Sequence, residues 1–205
     1  YGAINLDTDG TLGTYSITAG ASTADNTYGT ITAASIGAMN ITTGNGGGTH
    51  TIADMTNVDA IGDITIDADD NVTITTGANS LATVGDIHVT TITGATVALG
   101  TIGASSAVMG DITHVGAGTL TITTGAALSV GAVTGGAGAS TVVLSDSTTI
   151  GTVLTGGAGV DTFTGTGGAD IFHGGSADVF VGGAGVDNFN FAASVTSATV
   201  TGGAG

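Results

Sequence analysis

Sixteen aspartates carry nearly all the chemistry this 205-residue chain can do. It has no Lys, Arg, Glu or Cys, only four His, and a formal net charge of −16. Carboxylates are hard oxygen ligands suited to Ca2+. A polyanion with no internal cation needs its charge offset from outside, and metal ions are the natural source. Catalysis has little to stand on, because nothing in the chain supplies a Lys or Cys nucleophile, a Glu base or an Arg clamp. The many Ser and Thr lack an evident His–Asp partner set, and solenoid lyases and glycosidases need basic residues for acidic sugars or paired carboxylates in a groove. The chain is therefore read as no enzyme. Without Lys or Arg it cannot neutralise phosphates, which argues against nucleic acid and anionic membrane surfaces as partners. His50, His88, His114 and His173 show no transition-metal spacing and are expected at the surface or in turns.

The aspartates fall into patterns. Between residues 156 and 190 the sequence reads Gly156-Gly157-Ala158-Gly159-Val160-Asp161-Thr162-Phe163-Thr164, then Gly165-Thr166-Gly167-Gly168-Ala169-Asp170-Ile171-Phe172-His173. Next come Gly174-Gly175-Ser176-Ala177-Asp178-Val179-Phe180-Val181, one residue short, and Gly182-Gly183-Ala184-Gly185-Val186-Asp187-Asn188-Phe189-Asn190. An earlier copy, Gly135-Gly136-Ala137-Gly138-Ala139-Ser140, has Ser in the acid's place. Asp63, Asp86 and Asp111 form a second pattern, each following a glycine at a spacing of 23 and then 25 residues. Like charges stacked about 4.8 Å apart repel unless a cation lies between them. This column is a second candidate for Ca2+, against solvated turn carboxylates as the alternative. Asp67-Ala68-Asp69-Asp70-Asn71 and Asn5-Leu6-Asp7-Thr8-Asp9-Gly10 have the alternating oxygens that open a calcium loop, but lack the acidic twelfth position and flanking helices of an EF-hand. They are expected to be ordinary Asp-rich turns, with an isolated cation site as the alternative.

The nonapeptides resemble the repeats-in-toxin (RTX) family, whose G-G-x-G-x-D-x-U-x units build a parallel β-roll. The resemblance implies that the glycine turns bind Ca2+ and that U points inward, here Phe163, Phe172, Phe180 and Phe189. It implies carboxylates from Asp161, Asp170, Asp178 and Asp187, and turn backbone from Gly157, Gly159, Gly168, Gly175, Gly183 and Gly185. Since two units make one coil, it pairs Asp161 with Asp178 and Asp170 with Asp187, each 17 residues apart, for about two to three ions. The departures are Ser140, which weakens or empties the upstream site, and the deletion at Ser176-Ala177, which removes a glycine and threatens the Asp178 turn.

These turns need strands to hold them. An apolar–Gly–x–apolar unit recurs as Leu12-Gly13-Thr14-Tyr15, Ile36-Gly37-Ala38-Met39, Ile61-Gly62-Asp63-Ile64, Val84-Gly85-Asp86-Ile87, Met109-Gly110-Asp111-Ile112, Val130-Gly131-Ala132-Val133 and Ile150-Gly151-Thr152-Val153. A second ladder runs Thr30-Ile31, Thr51-Ile52, Thr73-Ile74, Thr96-Val97, Thr119-Leu120, Thr141-Val142 and Thr162-Phe163. Period-two alternation within each unit marks strands, and stacked coils share the core that one coil cannot close. The expected fold is all-β: a parallel β-solenoid of about 20–25 residues per coil over residues 1–134, tapering into a calcium β-roll over 135–205 and continuous with it.

No apolar run is long enough to span a membrane. The chain has no initiator Met or signal peptide and stops within a glycine motif, so it is expected to be part of a larger protein. The resemblance, with the low-complexity Thr/Ala/Gly/Val solenoid, implies a secreted structural protein of the bacterial cell surface, similar to S-layer proteins or large adhesins exported by type I secretion. Its expected partners are copies of itself, in a lattice or filament, and a cell-surface polysaccharide through sequence outside this chain. Ca2+ is expected to drive folding. The alternative is a calcium-binding repeat domain of a secreted enzyme, toxin or adhesin. Ice binding through outward Thr is a minor alternative, because the companion column Thr32, Ala53, Thr75, Ala98, Thr121, Val143 breaks the T-x-T pattern.

Overall fold

The computed structural model describes residues 2–5, 10–56, 58–75, 81–102, 108–125, 129–144 and 151–204. Residues 6–9, Ile150 and Gly205 of the motifs above lie outside them. The described residues form an all-β parallel solenoid with no helix. A twelve-stranded and a nine-stranded parallel sheet make its two long faces, with a three-stranded sheet beside them.

Alternation builds the core. In Ala60–Ala68, Ile64 and Ile66 are buried on either side of exposed Thr65. The β-branched residues suit this pleated, half-buried surface. Ile36 stands opposite Ile61, Ile64 opposite Ile87, Ile87 opposite Ile112, Ile112 opposite Val133, Val133 opposite Leu154, Leu154 opposite Phe172 and Phe172 opposite Phe189, so the coil runs 25, 23, 25, 21, 21, 18 and 17 residues. As the coil narrows, fewer side chains point inward and each must fill more space. Phe163, Phe172 and Phe180 are fully buried there, and the rings of Phe172 and Phe189 stack with centroids 4.7 Å apart.

The first six units of the glycine ladder stack in the expected register. The seventh slips by one: Leu154, not Val153, faces Val133, and Val153 is exposed. The threonine ladder needs larger corrections. Thr27, not Thr30, pairs with Thr51, while Ile31 joins Met55 in the three-stranded sheet. Thr73 pairs with Ala98 and Thr141 with Thr121, each two residues from the expected partner. A shift of two keeps side chains on the same face, so alternation alone cannot detect it. The outward column is Thr27, Thr51, Thr73, Ala98, Thr121, Thr141, Thr162.

Candidate metal centre

The four nonapeptide aspartates occupy two opposite corners of the narrow coils. At one corner, Asp161 Oδ1 accepts the Ser140 N–H at 2.7 Å and Oδ2 accepts the Gly157 N–H at 2.8 Å. Asp178, one coil on, accepts the Asp161 N–H at 2.9 Å and the Gly175 N–H at 2.6 Å. At the other corner, Asp170 accepts the Thr152 and Thr166 N–H groups, both at 2.7 Å, and Asp187 accepts the Asp170 N–H at 3.0 Å. Each carboxylate thus reaches back to the preceding coil. Asp161 stacks with Asp178 and Asp170 with Asp187, the pairs the resemblance implied.

Asp161, Asp170 and Asp178 are essentially inaccessible. Burial raises the carboxyl pKa of Asp161 and Asp170; the hydrogen bonds oppose it, and the neighbouring Asp178 and Asp187 charges add a smaller upward push. Buried carboxylates in a chain without Lys or Arg are a demand for positive charge. A carboxylate has about four acceptor positions, so two or three donors leave room for a cation. Among the described residues no third carboxylate or imidazole joins either pair. The two carboxylates would therefore hold Ca2+ together with backbone carbonyls and water, a ligand set this ion accepts.

The motif's first glycine has a packing cause. A Cβ on Gly156 would sit 2.5 Å from Asp178 Oδ2 and 3.3 Å from Asp161 Oδ2, so both carboxylates of the pair converge on this glycine. A Cβ on Gly165 would sit 2.5 Å from Asp170 Oδ2, and one on Gly182 would collide with Asp187 Oδ2. These three positions were not among the glycines assigned to the turns, although the motif's own first place marks them. Of those that were, Gly157 and Gly175 act through N–H groups donated to Asp161 and Asp178. The Gly168 N–H goes to the Thr166 hydroxyl. Gly183 and Gly185 adopt φ of +94° and +99°. A Cβ on Gly159 would meet the Gly138 carbonyl of the coil before. In the shortened unit Ala177 takes φ 69°. The left-handed alanine keeps Asp178 in its column despite the deletion.

Asp63, Asp86 and Asp111 also stack at one corner, but they are exposed and point the other way. Asp63 Oδ1 accepts the Asp86 N–H at 3.0 Å, Asp86 Oδ1 the Asp111 N–H at 2.9 Å, and Asp111 Oδ1 the Ala132 N–H at 2.8 Å. Each reaches forward to the next coil. The ladder glycine of the next coil leaves space for it: Cβ atoms on Gly85, Gly110 and Gly131 would collide with Asp63, Asp86 and Asp111 Oδ1. The Gly-Asp dipeptide is therefore a self-stacking unit. Asp70 is another staple: its Oδ1 accepts the Gly46 and Gly47 N–H groups of the preceding coil.

Two histidines overturn the surface expectation. His50 and His114 are each 1% exposed, whereas His88 and His173 are exposed. His50 stacks on Tyr28, its Nδ1 lies 3.3 Å from the Tyr28 hydroxyl, and its Nε2 faces Asp70 Oδ2 at 3.8 Å. His114 lies between the hydroxyls of Thr91 and Ser140, each at 2.9 Å. The signal was in the alternation, since His50 and His114 share the inward parity of Ile52 and Ile112.

No family model, curated protein or solved structure matches the chain.

Proposed function

We propose that this chain is a non-enzymatic structural element of a bacterial cell surface, of the S-layer or surface-filament kind, whose folding and self-association depend on Ca2+. The observation that carries the reading is the pair of carboxylate columns, Asp161/Asp178 and Asp170/Asp187, placed in glycine turns with no Lys or Arg in the chain to neutralise them. In calcium-poor surroundings sixteen carboxylates repel one another and the roll is loose. At the millimolar calcium outside a cell, the ion enters with its turn ligands and its binding free energy becomes folding free energy.

Electron microscopy of the purified protein, with calcium and after EGTA, tests the assembly. Sheets or filaments that dissolve on chelation are expected. Monodisperse particles in both conditions would favour a repeat domain carried by a secreted enzyme or toxin.

A further inference from the structure

Each carboxylate column begins at a hydroxyl residue. Ser140 donates its N–H to Asp161 Oδ1 and Thr152 donates its N–H to Asp170 Oδ1, both at 2.7 Å. In register, Ser140 stands where the column would place another acid, because Thr141 pairs with Thr162 as Thr162 pairs with Val179. Its turn, Gly135-Gly136-Ala137-Gly138, keeps the full glycine pattern. A Cβ on Gly135 would lie 3.1 Å from both Asp161 carboxylate oxygens, as one on Gly156 would approach Asp178. The turn is built for a metal column and lacks only the acid.

The side chain of Ser140 is held from behind. The Thr91 hydroxyl oxygen accepts the Gly118 N–H at 3.0 Å, which leaves its proton for His114 Nε2. With its proton on Nδ1, His114 donates to Ser140 Oγ, and the Ser140 hydroxyl is free to donate to the Asp161 carboxylate, a stronger acceptor than imidazole. Burial lowers the His114 pKa, in keeping with a neutral ring in this relay. Asp161 thus receives two donors from Ser140 on the side where an upstream cation would otherwise sit.

We infer that Ser140, oriented by His114, is the cap that ends the Asp161–Asp178 cation column and sets how many ions the chain holds. This rests on the calcium reading above. The test is the calcium stoichiometry of wild type and Ser140→Asp by titration calorimetry, together with the 15N shifts of the His114 ring in the wild type. Ser140→Asp is expected to bind one more Ca2+ per chain, and wild-type His114 to carry its proton on Nδ1 at pH 8. A folded Ser140→Asp with unchanged stoichiometry overturns the cap. A wild-type ring protonated on Nε2 overturns the relay even if the variant does not fold. Absence of calcium binding by the wild type would instead sink the calcium reading, while the ring shifts would still report on the relay.

Discussion

The backbone N–H of Asp161 meets the carboxylate of Asp178 at 2.9 Å, and one glycine, Gly156, leaves the space for both side chains. The contact couples backbone order in one coil to charge in the next. Asp178→Asn keeps an oxygen for that N–H and removes the charge. The variant turns its amide NH2 toward the Gly175 N–H that Asp178 Oδ2 accepts and should bind calcium at least tenfold more weakly, about 1.4 kcal/mol. Parallel calorimetric titrations of the two proteins check this.

The pH dependence of the metal-free protein should have two windows of opposite sign. Burial lowers the His114 pKa. Its contribution is thus present above the ordinary imidazole value of about 6.5 and lost as pH falls below it. Burial raises the Asp161 and Asp170 pKa. Their charged forms cost stability as pH rises from the ordinary carboxylate value, about 3.9, through the raised values, so acid relieves that cost. With calcium bound, protons compete with the ion and the acidic window reverses. Melting temperatures from pH 4 to 8, with and without calcium, should show the crossover.

Ala177 holds a left-handed φ of 69° in the shortened repeat. Such a conformation costs an alanine about 1–2 kcal/mol. Ala177→Gly should stabilise the protein by about 1 kcal/mol after glycine's entropic cost is included, with calcium stoichiometry unchanged. Denaturant unfolding of both proteins measures it.

Gly182 faces Asp187 Oδ2, and the nearest atoms to an added Cβ are all side-chain atoms of Asp187 and Phe189. Gly182→Ala should therefore displace the Asp187 carboxylate and weaken the Asp170/Asp187 site. In an Asp187→Ala background the same substitution should cost much less. A double-mutant cycle should give a coupling of about 1 kcal/mol or more.

The fold class was legible because period-two alternation and glycine-marked coils are repeated many times. The carboxylate pairs were legible through the nonapeptide spacing. Exact register was not, as Thr73 against Ala98 shows: loops of variable length shift a strand by two residues without changing its face. The buried histidines were obscured by residue type, since polarity suggested surface while the parity of Ile52 and Ile112 placed His50 and His114 inside. Thr152 as the head of the second column had no sequence signal, because the deciding contact is with Asp170, eighteen residues on.

Calcium titration of the chelated protein, followed by far-ultraviolet circular dichroism and calorimetry on the same sample, tests the central claim most directly. The β-sheet signal should grow with added calcium and saturate as about two to three ions bind per chain. An unchanged β signal and no binding heat across millimolar calcium would contradict it.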